Sequence, residues 1–288
     1  MASSLSERSA DTARATGTAR PRLSRAERFE RIVRIAAPLA IGCLALAAWE
    51  AIVALYAIPH YILPGPSLVL RSLIDDWGTL FPSLLVTLQI TLMALCVATI
   101  GGVALAILFT TSKWIELSFF PFAVILQVTP IISIAPLILI YVDNVYLALL
   151  ICAWIVAFFP ILANTTLGLR SADHNLVDLF QLYGASRWQT LWHLHLPSAM
   201  PYFLGGLKIA GGLSLIGAIV AEFAAGTAGA GSGLAYRILE AGYRLNIPRM
   251  FAAVILISIT GIVIFMAFSL LSHLILRRWH ESAVRRER

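Results

Sequence analysis

Charged residues are scarce in this sequence, and their scarcity excludes most classes of soluble protein. Of 288 residues, only 12% are Asp, Glu, Lys or Arg, whereas 59% are hydrophobic. A soluble domain usually carries about 25% charged residues, so this chain lacks the polar side chains that would cover a globular core. The mean hydropathy of +0.86 therefore indicates an integral membrane protein.

Motifs for soluble chemistry are also absent. The three cysteines lie singly inside apolar stretches, and the chain has no GxxxxGK[ST] phosphate loop. The glycine-rich stretch 226–233 lacks the lysine of such a loop and is interpreted as a flexible external loop. His193 and His195 have no third candidate ligand nearby. We therefore predict no catalytic residue, no metal site and no cofactor bound by this chain itself.

Apolar segments long enough to cross a hydrocarbon core of about 30 Å recur along the sequence. No run of alternating polarity suits barrel strands, so the spans are predicted to be helical. We predict an all-α integral membrane protein with about six transmembrane helices. The predicted spans are residues 35–57, 83–109, 118–141, 145–167, 201–224 and 250–276.

The basic residues predict the orientation. Sixteen of the 21 Lys and Arg residues fall in the two ends of the chain and two alternate loops, so both termini are expected to be cytoplasmic. These residues flank apolar helices instead of forming a stripe with aromatics, which argues against nucleic-acid binding. The expected organisation is a disordered tail at 1–23, an interfacial helix at 24–34, a membrane domain at 35–276 and a basic tail at 277–288.

The cytoplasmic loop at 168–200 is predicted to form two helices joined by a sharp turn. Gly184 falls where the first helix needs a residue with positive φ. A second helix starts at the capping box Ser186-Arg187-Trp188-Gln189, and Pro197 is expected to end it before Pro201 opens the next membrane helix. The first helix carries one apolar face, formed by Leu176, Leu179, Phe180 and Tyr183.

At these residues the sequence resembles the permease subunits of bacterial binding-protein-dependent ABC importers. Their signature is Glu-Ala-Ala, three residues, Gly, nine residues, then Ile-x-Leu-Pro. This chain has the same spacing with Asp in place of Glu, bulky residues in place of both Ala, and Leu in place of Ile. The resemblance implies that this loop, at 173–197, couples the permease to its ATPase. The coupling residues would be Asp178, Leu179, Phe180, Gly184, Leu194, Leu196 and Pro197.

The resemblance covers most of residues 35–276 and is strongest to the nitrate, sulfonate and taurine branch of importers. Leu63-Pro64-Gly65-Pro66, Asn164 to Gly168, and Ala221-Glu222 look like that branch. The loop from Tyr141 to Asn144 departs from its usual aromatic-Phe-Gly turn. A permease of the type I importer fold is implied.

The family's mechanism is implied with it. Two permease copies, most simply a homodimer, form the pore in the bacterial inner membrane. Two cytoplasmic ATPases hold ATP and Mg²⁺, and an external binding protein delivers the solute. The solute is expected to be a small anion such as nitrate, a sulfonate or taurine, or a vitamin-like heterocycle; the sequence does not choose among them.

Polar groups inside the spans are candidates for the pathway, because their burial in lipid is costly. Glu222 and Glu50 are each expected either to hydrogen-bond a neighbouring element or to line a gate. Pro130 and Pro136 are expected to bend the third span near Gln127 and Thr129. A ladder of small residues on the fifth span predicts close helix packing, within the subunit or across a dimer. Its members are Gly206, Ala210, Ser214 and Ala218.

Two other functions are alternatives to the importer. An ATP-independent secondary transporter or channel predicts inverted repeats and paired charges near the midplane, and no clear repeat is visible. A membrane-embedded enzyme would need converging nucleophile, base or metal ligands, and none converge.

Overall fold

The computed structural model describes residues 25–226 and 231–277, and every regular element in those ranges is helical. The predicted all-α class is confirmed. The tail predicted at 1–23 lies outside the described residues, as does that at 277–288 apart from Arg277. The helices are α1 Arg25–Leu55, α2 Pro66–Asp75, α3 Trp77–Thr111, α4 Lys113–Val128, α5 Ile131–Tyr141, α6 Val145–Leu169, α7 His174–Leu182, α8 Arg187–Thr190, a π-helical turn Leu191–His195, α9 Leu196–Ala225, α10 Leu234–Tyr243 and α11 Ile247–Leu276.

Within the described residues, five helical segments are long and apolar enough to cross a membrane, or six if the bent pair α4–α5 counts as one span. This confirms the predicted number of about six. The chain divides into two compact units after Ala57, so that α1 stands as one unit and the remaining helices form the other. Of the interfacial helix expected at 24–34, the described residues 25–34 form the first turns of α1.

The third predicted span is two helices. The helix axis bends by 102° between α4 and α5. The bend falls at Thr129 and Pro130, both of which have extended backbone angles. A residue that precedes proline avoids the helical region, and proline itself brings no N–H to the helical ladder. Pro136 lies inside α5 without interrupting it, so only one of the two prolines breaks the span.

The expectation that Pro197 ends a short helix is wrong. The chain is helical from Arg187 to Ala225 without a break, through the π-helical turn in which the Leu196 N–H bonds to the Leu191 carbonyl. A π turn already leaves the regular i to i−4 pattern, and Pro197 follows in the first turn of α9, where a missing N–H is tolerated. Pro201 accordingly lies inside α9.

The core of the larger unit forms where α6 packs between α3 and α9. All four members of the small-residue ladder on α9 are buried there. A Cβ added at Gly206 would lie 2.8 Å from the Pro160 carbonyl of α6, and the Ser214 hydroxyl donates to the Thr91 carbonyl of α3 at 2.7 Å. The ladder therefore packs within the subunit, which settles that alternative.

A second, smaller core joins α2, α10 and α11 at the start of α3. Asp76, between α2 and α3, accepts two hydrogen bonds from the guanidinium of Arg249 on α11, one of them at 2.8 Å from Nε. The Ser72 hydroxyl donates to the same carboxylate at 3.0 Å. Bidentate pairs of this kind fix orientation as well as distance, so α2 is tied to the first turn of α11.

The Asp76 pair predicts a pH dependence of stability. Hydrogen bonding by Arg249 lowers the pKa of Asp76 below its ordinary value of 3.8. A depressed folded-state pKa stabilises the fold above the unfolded-state pKa, and this stabilisation disappears as pH falls through the folded-state value. In detergent, wild type should melt at a higher temperature than Asp76→Asn. This difference should be largest at about pH 6 and should shrink below about pH 4. The exposed neighbour, Asp75→Asn, should change little at any pH.

The close packing at Gly206 predicts that a larger side chain destabilises the fold, and the neighbouring Gly205 provides a matched control. In Gly206→Ala the new methyl meets α6 backbone, so the melting temperature should fall, with a loss on the order of 1–3 kcal/mol. At Gly205 an added Cβ meets no atom within 4 Å, so Gly205→Ala should match or exceed wild type. Equal melting temperatures for the two variants would contradict the packing described here.

Candidate functional site

Residues 173–197 form the predicted helix-turn-helix segment. The Asp173 side chain caps α7 by accepting a 2.8 Å hydrogen bond from the Asn175 N–H. At the other end of α7, the Gly184 N–H bonds to the Gln181 carbonyl and the Ala185 N–H to the Phe180 carbonyl, both at 2.9 Å. This pair of bonds is a Schellman motif.

The turn requires a glycine, because Gly184 has φ of +68°, a conformation that side chains with a Cβ rarely adopt. The second helix follows immediately with the predicted capping box. The Ser186 hydroxyl accepts from the Gln189 N–H, and the Gln189 side chain accepts from the Ser186 N–H. Both helix ends at the turn are thus satisfied locally, and the two helices are held at a fixed angle.

The outer surface of this segment is apolar and uncovered by the described chain. A shallow cavity of about 540 Å³ lies between the two helices, bounded by Leu179, Phe180 and Gln189 among others. Asp178 lies beside it and is exposed. The large exposed side chains of the segment are Leu176, Leu179, Leu182, Tyr183, Trp188 and Trp192.

The inner surface of the same segment packs into the core of the larger unit. Leu191 and Leu194 are 7% and 6% exposed, and Leu191 belongs to the α3–α6–α9 core. Nδ1 of His195 lies 2.8 Å from the carbonyl of Leu169, the last residue of α6. That carbonyl has no partner within its own helix, so His195 ties the segment to the end of α6.

The end of α6 also touches α9 closely. A Cβ added at Gly168 would lie 2.9 Å from the Cα of Ala199. The Ser171 hydroxyl donates to the Gly168 carbonyl at 2.8 Å, and Arg170 pairs with Glu116 at the start of α4. The end of α6 and the start of α9 are therefore in close backbone contact beside the helix-turn-helix segment.

The four pathway candidates lie in different parts of the chain. Gln127, exposed, and Thr129, half-buried, lie at the bend between α4 and α5. The Thr129 hydroxyl donates to the Ile125 carbonyl at 2.6 Å. Glu222 lies in the last turn of α9, and Glu50 lies half-buried in α1.

Glu222 binds the beginning of α10. Its side chain is 3% exposed, and its carboxylate accepts from the Thr87 hydroxyl at 2.7 Å and from the Ala235 N–H at 3.0 Å. Thr87 in turn accepts from the Leu234 N–H at 2.9 Å. The first N–H groups of a helix lack intrahelical partners and attract negative charge. Glu222 therefore hydrogen-bonds a neighbouring element, which is one of the two roles expected for it.

Next to this cluster lies a network of charged residues that the sequence did not reveal. Arg237 on α10 donates to the Ser83 hydroxyl at 2.9 Å and to Glu240 at 2.8 Å. The Arg237 hydrogen bond, with Arg244 nearby, lowers the pKa of Glu240. The signal in the sequence for this region is a polar residue, Thr87, inside an apolar span. Its partner Glu222 lies 135 residues away, so the sequence alone does not pair the two.

Removing the Glu222 carboxylate should loosen α10 first. In Glu222→Ala the Ala235 N–H loses its acceptor, and a buried donor left unpaired costs about 1–3 kcal/mol. Amide hydrogen exchange in residues 231–243 should accelerate, while that of α6 stays slow. Glu116→Gln, which alters an ion pair at the other end of the molecule, serves as the control. Unchanged exchange at 231–243 would show that Glu222 does not hold α10.

Comparison with known proteins shows the family to which this fold belongs. The family model for the inner membrane component of binding-protein-dependent transport systems matches residues 98–281. The chain is 31% identical to the formylaminopyrimidine transport permease protein ThiX of Halalkalibacterium halodurans, over 79% of this chain and 90% of that one. It is 30% identical to the riboflavin transport system permease protein RibX of Chloroflexus aurantiacus, over 91% and 96%.

The taurine transport system permease protein TauC of Escherichia coli is 27% identical over 84% of this chain and 90% of its own. Among solved structures, the crystal structure of an amino acid ABC transporter with histidines matches with a TM-score of 0.59. That match covers 72% of this chain and 97% of the other, at 19% identity, and it shows a shared fold. This chain belongs to the family of inner membrane components of binding-protein-dependent transport systems.

Proposed function

We propose that this chain is the permease subunit of an ATP-driven importer whose helix-turn-helix segment, residues 173–197, docks on a cytoplasmic ATPase. The observation that carries the proposal is the two-sided character of that segment. One side presents exposed Leu179, Tyr183 and Trp188, and the other side buries Leu194 in the chain. An apolar surface on a rigid, capped turn is suited to a protein partner.

The residues of the segment have three different roles. Asp178, Leu179 and Phe180 contact the ATPase, and Gly184 keeps the two helices at the angle that fits it. Leu194, Leu196 and Pro197 transmit the movement of the docked segment into α9. Leu196 and Pro197 are the first two residues of that helix. ATP and Mg²⁺ bind the partner subunit, where nucleotide closure selects between two arrangements of the membrane helices.

The assembly follows from the same reasoning. A second copy of the chain completes the pore as a homodimer, and an external binding protein delivers the solute. Both termini lie in the cytoplasm, with 1–23 as a polar tail, 24–34 at the interface and 277–288 as a basic tail. Glu50, Gln127, Thr129 and Glu222 remain candidates for the pathway or its gate.

The solute is a small molecule. The relatives' names give formylaminopyrimidine, riboflavin and taurine as their solutes. Family membership favours this ATP-driven mechanism over an ATP-independent secondary transporter or channel.

A pair of substitutions at Gly184 tests the docking. Gly184→Val places a β-branched side chain at φ of +68°, whereas asparagine tolerates that conformation. In liposomes with the ATPase and binding protein, Gly184→Val should lower ATP-dependent uptake more than tenfold and reduce the ATPase that copurifies. Gly184→Asn should retain most of both activities.

The control is Gly78→Val, at a glycine with open space and no positive φ; it should insert in the membrane and transport normally. Normal ATP-dependent uptake by Gly184→Val would contradict the role of the turn. A purified chain that never retains an ATPase, and whose uptake ignores ATP, would contradict the importer itself.

A further inference from the structure

A cavity lies where the end of α3 and the start of α4 meet the end of α6 and the helix-turn-helix segment. Its volume is about 560 Å³, which is the size of a small-molecule site. Buried apolar residues line it at Phe109, Leu169 and Ala172. Exposed basic residues line it at Lys113 and Arg170. Apolar walls with a few converging polar groups are typical of a ligand site.

Positive charge is in excess around this cavity. Among its described lining residues the acidic one is Glu116, and this carboxylate is already paired with Arg170. Lys113 forms no ion pair with a carboxylate of the described residues. The imidazole of His174, exposed at the start of α7, supplies a further hydrogen-bond donor. An anion in the cavity therefore meets an unpaired cation and no free carboxylate among the residues that line it.

The membrane surface lies beside the cavity. Lys113 and Trp114 begin α4, the first arm of the bent span, and the Trp114 side chain is 81% exposed. Tryptophan at the end of a span is typical of the head-group region of a bilayer. The following turn of α4 exposes Leu117 and Phe119, an apolar surface that suits acyl chains. The basic side of the cavity is therefore at the depth of lipid phosphates.

We propose that this cavity binds the phosphate group of an anionic phospholipid, which Lys113 and His174 contact while the acyl chains lie along α4. A zwitterionic lipid fits less well, because its ammonium group finds Glu116 already engaged by Arg170. The bound head group joins the start of α4 to α7 and so links the lipid to the helix-turn-helix segment. The inference rests on the proposed function for its leaflet, the cytoplasmic one. Inorganic phosphate has the same chemistry, and the experiment separates the two sources.

A photoactivatable lipid locates the site. The complex of the chain with its ATPase is placed in nanodiscs of phosphatidylcholine that contain a trace of phosphatidylglycerol with a diazirine in its head group. After illumination and chymotryptic digestion, mass spectrometry identifies the labelled peptides. We expect adducts within residues 109–117 and 169–177, which hold most of the lining residues. Excess unlabelled phosphatidylglycerol should displace the label, whereas inorganic phosphate should not.

Substitutions of the two contacts test the charge argument. Lys113→Gln should lower the labelling of these peptides by about fivefold, the effect of one basic residue near a lipid surface, and Lys113→Arg should restore it. His174→Ala removes the second contact and should also lower the labelling. Arg71→Gln, which removes an exposed basic side chain of α2, is the control and should leave the labelling unchanged.

Labelling that responds to neither Lys113→Gln nor His174→Ala would overturn the proposal, as would adducts confined to other peptides. Displacement of the label by millimolar inorganic phosphate would also overturn it, since the ligand would then be a free anion. ATP-dependent uptake by the same complexes in liposomes tests the importer separately. Uptake that ignores ATP, with labelling that still depends on residue 113, would reject the importer and support the lipid site.

Discussion

Backbone N–H and C=O groups at the ends of a helix have no partner within that helix, and a bilayer supplies none. Each helix end that this chain buries therefore needs a bond from another element. Glu222 and Thr87 supply it at the start of α10. His195 supplies it at the end of α6. Apolar helix packing is not directional, whereas these hydrogen bonds are, so they fix the positions of the two helix ends.

The same requirement explains why the two ends of the bundle differ. At one end, Asp76 and Arg249 lock α2 against α11, and Glu222 fixes α10, so the short helices are fastened to the spans. At the other end, the bonds of the helix-turn-helix segment are satisfied within the segment and through one histidine, so its apolar side remains open. One end is closed by its own side chains, and the other exposes an apolar surface.

How much the sequence could predict depends on how local each interaction is. Span number and class follow from hydropathy, and the turn at Gly184 follows from residues within a few positions of it. The partner of Glu222 lies 135 residues away, and hydropathy carries no such information. The prolines show the same limit: Pro130 breaks a helix and Pro197 does not, because the outcome depends on whether neighbouring turns can absorb a missing N–H.

The unbroken helix from Arg187 to Ala225 has a mechanical consequence. Ala199 presses on the backbone of Gly168 and divides the rod into unequal arms, about 18 Å toward Arg187 and about 39 Å toward Ala225 at 1.5 Å per residue. With that contact as fulcrum, a small displacement at the short arm is roughly doubled at the far tip. In the importer proposed above, leverage of this kind turns a small displacement at the ATPase side into a larger one at the opposite end of the span.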